Sequence, residues 1–103
     1  MTKLLAKALL LSGFALATLG AQAADQAVAD LYNKSCVFCH STGAAGAPRF
    51  REAQEWAPRL AKGMDALVTS VDQGMNAMMA KGMCYDCTAE EFKALIEYMT
   101  VVE

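Results

Sequence analysis

The 103-residue chain has little of several residue types, and each shortage narrows what it can be. It contains one histidine, so no pair of imidazoles can share a metal ion. Beyond residue 23, seven basic residues stand against eleven acidic ones, which gives residues 24–103 a formal charge of −4. Nucleic-acid-binding domains need a basic patch, so no nucleic-acid partner is expected. No segment in this part is apolar enough to cross a bilayer, and no strand-like alternation competes with the helical periodicity.

The one long apolar run lies at the N-terminus. Two lysines precede apolar residues 8–19, and the run ends in Ala21-Gln22-Ala23. A basic start, a short apolar stretch and a small-x-small ending are the parts of a secretory signal peptide. The run is shorter than the ~20 residues of a membrane-spanning helix. We therefore predict a signal peptide over residues 1–23 and one domain over residues 24–103, with an uncleaved N-terminal anchor as the alternative.

Helical periodicity predicts an all-α domain with a helix at each end. The predicted helices cover residues 25–35, 52–62, 65–73 and 88–101, with a glycine-rich loop over 41–51 and a methionine-rich, non-periodic segment over 75–87. Gly63 and Gly74 end the second and third helices. Thr88 and Glu91 form a capping box before the last helix, whose core-facing stripe is Phe92, Leu95, Ile96 and Met99. Pro58 fits the second helix only in its first turn.

The only histidine directly follows a Cys-x-x-Cys pair, in the order Cys36-Val-Phe-Cys39-His40. This is the attachment signature of haem c. Each thiol adds to one haem vinyl group, and the two thioethers hold His40 under the iron as an axial ligand. Three alternatives explain less. A thioredoxin-type dithiol lacks its βαβ context, and plain disulfides leave the histidine unexplained. The third alternative is a zinc site formed with the later pair Cys84-x-x-Cys87. The two pairs of such a site are usually separated by ~15–20 residues. Here 44 residues, 40–83, lie between them.

The second iron ligand must be a residue other than histidine. Methionine is the usual sulfur ligand in carrier cytochromes. The chain has seven methionines, of which Met1 belongs to the predicted signal peptide. The other six are Met64 at a helix start, Met99 on the core stripe, and Met75, Met78, Met79 and Met83 in or beside the methionine-rich segment. Spacing alone leaves the choice among them open.

Further motifs accompany the haem signature in order along the chain. They are Gly43-Ala-Ala-Gly-Ala-Pro-Arg49, Trp56-Ala-Pro-Arg59, Asn76-Ala-Met78 and Lys81-Gly-Met-Cys-x-Asp-Cys87. With these motifs, which span nearly all of residues 24–103, the chain resembles the cytochrome c5 family of bacterial monohaem cytochromes. The resemblance implies a class I cytochrome c fold, in which the N- and C-terminal helices cross around one covalent haem c.

The resemblance also implies roles for individual residues. It places the second axial ligand at Met78, and it implies that the carbonyl of Pro48 accepts a hydrogen bond from the ring of His40. It implies that Trp56 and Arg59 contact the haem propionates, for which an indole N–H and a guanidinium are suitable donors.

Two further features concern the methionine-rich segment. The second cysteine pair of the family is a disulfide, which corresponds here to Cys84 and Cys87. The family usually has prolines after the ligand methionine, whereas Met79 and Ala80 follow Met78 in this chain. A second sulfur therefore stands beside the first, and exchange between Met78 and Met79 as ligands is a hypothesis.

The predicted function is electron transfer in the periplasm. Histidine and methionine ligands saturate the iron, so no open site remains for a small-molecule substrate, and the chain is not expected to be an enzyme. Methionine ligation also raises the potential. The expected partners are redox proteins, in particular membrane respiratory complexes such as a terminal oxidase or reductase. The alternative class is a peroxidase or gas-binding haem protein, which needs a vacant position on the iron.

Overall fold

The helices follow the order that the periodicity predicts. The computed structural model describes residue 20 and residues 22–101. Along this part of the chain lie α1 (residues 22–34), α2 (Val37–His40), a 3-10 turn (Ala44–Gly46), α3 (Ala53–Leu60), α4 (Met64–Gln73), a second 3-10 turn (Ala80–Met83) and α5 (Ala89–Thr100). Within these described residues the only β-structure is one isolated bridge, so the predicted all-α fold is confirmed.

The predicted signal peptide lies mostly outside the described residues, which include only residues 20, 22 and 23 of it. Among the helices that the structure describes, none combines the length and the apolar character that a membrane span requires.

The core lies where α1 and α5 meet. The stripe predicted for α5 is buried, with at most 3% of any side chain exposed: Phe92, Leu95, Ile96 and Met99. From α1, Tyr32 packs into the same cluster, and its ring meets that of Tyr98 edge-on with centroids 5.5 Å apart. Aromatic pairs in this geometry stabilise a core beyond the area they bury. The two terminal helices therefore form the base to which the middle of the chain is attached.

α3 is shorter than predicted and contains a proline in its second turn. Pro58 is the sixth of eight residues in α3, so the helix contains this proline beyond the first turn, where the sequence pattern made it unfavourable. Because Pro58 has no N–H, the carbonyl of Gln54 loses its helical partner. The helix ends two residues after the proline, so few hydrogen bonds remain to be disturbed.

Left-handed glycines bracket α4, as predicted. Gly63 (φ 91°) precedes the helix and Gly74 (φ 87°) follows it. α4 packs against α3, against α5 and against the 3-10 turn Ala80–Met83. It thereby connects the core to the methionine-rich segment.

The capping box predicted for α5 is present. The hydroxyl of Thr88 accepts from the N–H of Glu91 at 3.2 Å, and the Glu91 carboxylate accepts from the N–H of Thr88 at 3.0 Å.

Thr88→Ala removes the first bond and should lower the free energy of unfolding by about 1 kcal/mol. Denaturant unfolding measures this change. Thr42→Ala is the control, since this exposed side chain has no hydrogen bond among the described residues, and equal stability of the two variants would contradict the cap's contribution.

Candidate cofactor site

The single turn of α2 carries the three residues of the attachment signature. Cys36 is the N-cap of α2, and its carbonyl accepts from the N–H groups of Cys39 and His40 at 3.3 and 3.0 Å. Residues three and four apart lie on one face of a helix. The two thiols and the imidazole therefore face the same side, while the side chain of Phe38 between them is 60% exposed.

His40 is held from two sides by the loop that follows α2. Its Nδ1 lies 2.7 Å from the carbonyl oxygen of Pro48, and its own carbonyl accepts from the N–H of Phe50 at 2.7 Å. A carbonyl only accepts, so Nδ1 carries the proton and Nε2 keeps its lone pair. Burial lowers the pKa of His40, against the opposing effect of the bond to Pro48, and so favours the neutral imidazole. The ring is thereby held in an orientation in which Nε2 is the nitrogen available to a metal.

The loop returns to His40 through left-handed residues. Gly43 and Gly46 have φ of 81° and 84°, and Ala45 between them has φ of 54°. Left-handed backbone is uncommon for a residue with a Cβ. Strain of this kind collects where a ligand is held. The glycine-rich composition of the predicted loop thus serves to bring Pro48 back over the imidazole.

Trp56 fixes the next peptide of the same loop. Its indole N–H donates to the carbonyl of Arg49 at 2.8 Å, and its ring stacks near that of His40 with centroids 5.7 Å apart and 19° between planes. The contact of Trp56 with a haem propionate stays a prediction, and in this structure the indole N–H is bonded to the Arg49 carbonyl. With 4% of its surface exposed, Trp56 contributes its ring to the wall of the site and holds the His40 loop in place.

A cavity of about 540 Å³ lies between α2 with its loop and the methionine-rich segment. Cofactor pockets typically enclose ~300–1,000 Å³. The cavity wall contains every residue predicted to contact the haem or its iron: Cys36, Cys39, His40, Pro48, Trp56, Arg59 and Met78. α4 and α5 complete the wall with apolar side chains, among them Leu67, Val71 and Ile96. Helical periodicity marked Ile96 as core and gave no sign that it also faces a cavity.

The structure narrows the choice among the six methionines. Met64 is not among the described residues that line the cavity, and Met99 lines it from within the buried stripe of α5. All four methionines of the loop segment line it: Met75, Met78, Met79 and Met83. Of these four, Met78 is half-buried, whereas the other three expose 40–52% of their surface. Burial therefore favours Met78 within the segment.

A tight turn places Met78 against Gly74. The N–H groups of Met75 and Met78 each donate to the other's carbonyl at 2.9 Å, with Asn76 left-handed between them (φ 53°). A Cβ on Gly74 would lie 3.0 Å from the Met78 carbonyl oxygen and 2.9 Å from the nitrogen of Ala80. Only glycine therefore allows the segment to fold this closely over the end of α4.

The residues after Met78 keep an ordered path without prolines. Met79 has φ of −68° and ψ of 157°, and proline would fix φ near −65°. The ammonium of Lys81 pairs with the carboxylate of Asp72 on α4, which ties the following turn to the helix. The departure from the family pattern therefore changes the side chain at position 79 and leaves the backbone where a proline would hold it.

The two cysteine pairs are in different states in the structure. Cys84 and Cys87 are bonded to each other, with Cα atoms 5.4 Å apart, and neither lines the cavity. Cys36 and Cys39 have the same spacing, line the cavity and form no disulfide within the described part of the chain. Thr88, not histidine, follows Cys87. Among the described residues, no group of three or more His, Cys, Asp or Glu side chains is close enough together to bind a metal.

Basic side chains supply the charged part of the cavity wall. Arg59 and Lys62 line it, and no aspartate or glutamate does so among the described residues. One guanidinium N–H of Arg59 donates to the carbonyl of Glu55, so its other N–H groups remain for a carboxylate. Sequence reasoning missed Lys62, which lies two residues after the end of α3 and is brought to the cavity by the position of that helix.

The comparisons with known proteins match this geometry. A profile of the family described as cytochrome c oxidase, cbb3-type, subunit III, matches residues 23–99. The cytochrome c5 of Azotobacter vinelandii is 41% identical over 79% of this chain and 95% of its own length, and that of Ectopseudomonas mendocina is 35% identical over 79% and 91%. The chain belongs to the cytochrome c5 family.

The solved structures extend this membership to the fold. A mono-haem ferrocytochrome c from Shewanella putrefaciens is 53% identical with a TM-score of 0.66, over 74% of this chain and 94% of that one. The chain thus has the class I cytochrome c fold. A structure described as an electron transfer complex of nitrite reductase with cytochrome c is 40% identical with a TM-score of 0.63, over 68% and 85%. At the family level this cytochrome is a haem-carrying electron carrier and not an enzyme.

A cytochrome c5 carries one covalent haem c with iron, and the residues on the cavity wall fit this group. Two unbonded thiols share one helical face. The imidazole beside them presents Nε2, and thioether sulfurs line the same cavity from the methionine-rich segment. The basic residues Arg59 and Lys62 match the charge of the two haem propionates.

Gly74→Ala tests whether the close approach of the methionine-rich segment matters for the iron. The added methyl group would meet backbone atoms of Met78 and Ala80, so the segment must shift and the sulfur with it. We expect the far-red absorption band of the oxidised protein, which marks a methionine–iron bond, to be weakened or lost. Gly63→Ala also places a Cβ at positive φ but meets nothing within 4 Å, and it should keep the band. An intact band in Gly74→Ala would contradict the role given to Gly74.

Proposed function

We propose that this cytochrome c5 is a periplasmic electron carrier whose haem is bound covalently by Cys36 and Cys39, with His40 and Met78 as axial ligands. When bound, the haem iron supplies one-electron redox chemistry, and the protein supplies attachment, orientation and exclusion of competing ligands. The observation that carries the proposal is the hydrogen bond from Nδ1 of His40 to the Pro48 carbonyl at 2.7 Å, because it commits Nε2 to the cavity.

The choice of Met78 rests on burial and on the backbone around it. A ligand sulfur must lie inside the cavity, and Met78 is the half-buried methionine of its segment. The paired hydrogen bonds with Met75 and the contact with Gly74 fix its Cα. A methionine whose backbone is held in this way loses little further freedom when its sulfur binds, which favours it over its more exposed neighbours.

Saturated iron is what distinguishes a carrier from the alternative class. A peroxidase or gas-binding protein needs one open position on the iron, and a nitrogen and a sulfur ligand leave none. Methionine as the second ligand raises the potential, which suits an acceptor late in a respiratory chain. We therefore place the protein between redox partners rather than at a site of substrate turnover.

Redox proteins are the proposed partners, in particular membrane respiratory complexes that include a terminal oxidase or reductase. In support, one similar structure is described as a complex of a cytochrome c with nitrite reductase. The rim of the cavity also suits transient docking, since Met75, Met79 and Met83 are exposed there. Weak electron-transfer encounters use small interfaces of this kind.

The Cys84–Cys87 disulfide is proposed as a local clamp. The chain-entropy model gives only roughly 2 kcal/mol for so short a loop. Its main contribution is to local geometry, because it joins the end of the methionine-rich segment to the capped start of α5. An oxidising compartment, as proposed here, is where such a bond persists.

The optical spectrum of the oxidised holoprotein tests the ligand assignment. The wild type should show the far-red methionine–iron band, and its reduced form should not bind carbon monoxide readily. Met79→Leu should keep the band, whereas Met78→Ala with Met79→Leu, which removes both adjacent sulfurs, should lose it completely. Met64→Ala, outside the cavity wall among the described residues, should also keep it. A high-spin ferric spectrum and ready carbon monoxide binding in the wild type would support the alternative class.

Export is tested by the mass of the haem-loaded protein expressed with its full sequence. Cleavage after Ala23 should give a product that begins at Ala24, carries one haem and is recovered from the periplasmic fraction. Gln22→Ala, which keeps both small residues of the motif, is the control. Recovery of residues 1–23 in a membrane-bound holoprotein would show an uncleaved anchor instead.

A further inference from the structure

Met79 is a second thioether beside the proposed iron ligand. It directly follows Met78, lines the same cavity and is 52% exposed. Methionine has three rotatable bonds and moves easily when unpacked. The Met79 sulfur is therefore not excluded from the cavity, and another contact must keep it from the iron.

The sulfur of Met79 has a partner elsewhere. The hydroxyl of Tyr85 donates to Sδ of Met79 at 3.4 Å. A thioether accepts hydrogen bonds only weakly, but this contact engages a sulfur lone pair and favours a position of the sulfur beside Tyr85. Tyr85 itself is 68% exposed, so burial does not explain the position of its ring.

The cysteine turn explains how an exposed tyrosine can be held in place. Tyr85 lies between the two bonded cysteines, in a turn that the N–H of Cys87 closes by donating to the carbonyl of Cys84 at 3.1 Å. The preceding 3-10 turn is joined to α4 through Lys81 and Asp72. The backbone of Tyr85 is thus fixed on both sides, and its hydroxyl is presented to Met79.

We propose that Tyr85 is a positioning residue that holds the sulfur of Met79 at the surface and so leaves Met78 as the single methionine ligand of the iron. This inference rests on the proposed function, since it requires methionine ligation by Met78. It gives the short disulfide a role in the choice of ligand. It also explains how the chain keeps one ligand where two adjacent sulfurs are available.

The test is ¹³C-methyl methionine NMR of the reduced holoprotein, with exchange measurements that detect minor species. Tyr85→Phe removes only the hydroxyl from an exposed ring and should not disturb folding. In this variant the ratio of a second set of haem-shifted methionine signals to the first should rise about 2-fold, the low end for loss of one hydrogen bond, because a thioether is a weak acceptor. Tyr85→Phe with Met79→Leu should return to one set. Tyr98→Phe is the control, because Tyr98 packs on Tyr32 and Phe50 away from the segment.

The outcomes separate this inference from the proposed function. A wild type with no haem-shifted methionine signal would overturn the Met78 assignment and the inference with it. A single wild-type set that is unchanged in Tyr85→Phe would overturn the role of Tyr85 alone. A second set that persists in Tyr85→Phe with Met79→Leu would show that the competing ligand is not Met79, which would also overturn the inference.

Discussion

The hydrogen bond between His40 and Pro48 is the constraint to which the other features of the site respond. It decides which ring nitrogen faces the cavity, and it can form only if residues 41–47 turn back over α2. Three features hold the loop in this path. They are the left-handed glycines, the hydrogen bond from the Phe50 N–H to the His40 carbonyl, and the one from the Trp56 indole to the Arg49 carbonyl. Without this loop the neutral ring of His40 would have two accessible tautomers and no fixed orientation, and ligation would have to order it.

The methionine-rich segment forms the opposite wall of the cavity, and the requirement there is different. A thioether has no tautomer to select, but a segment rich in flexible methionines must still present one sulfur and not several. The backbone provides the first restriction, through Gly74 and the paired peptides of Met75 and Met78. The φ of Met79 continues the path that proline would impose. Side-chain contacts provide a second restriction, and the hydrogen bond from the Tyr85 hydroxyl to the sulfur of Met79 is one of them.

The sequence predicted the regular parts of this structure well, for reasons that are local. The helices, the cap at Thr88 and the stripe of α5 depend on residues within one or two turns of each other. The attachment signature also lies within one turn, so its geometry follows from spacing. Local spacing could not predict the contacts of three side chains: the Trp56 indole, the Lys62 ammonium and the Tyr85 hydroxyl. Their partners are set by how irregular loops pack, and helical periodicity carries no record of that. Pro58 is accommodated beyond the first turn of α3 because the helix ends soon after it and few hydrogen bonds are lost.

The account depends on one claim above all, that a nitrogen from His40 and a sulfur from Met78 complete the coordination of the haem iron. X-ray absorption at the iron edge of the oxidised holoprotein measures this most directly, because it reports the elements bound to the metal. We predict six ligands, of which one is sulfur and five are nitrogen, with the sulfur kept in Met79→Leu and absent in Met78→Ala with Met79→Leu. Five-coordinate iron in the wild type, or a sixth ligand that is oxygen or nitrogen, would contradict the claim.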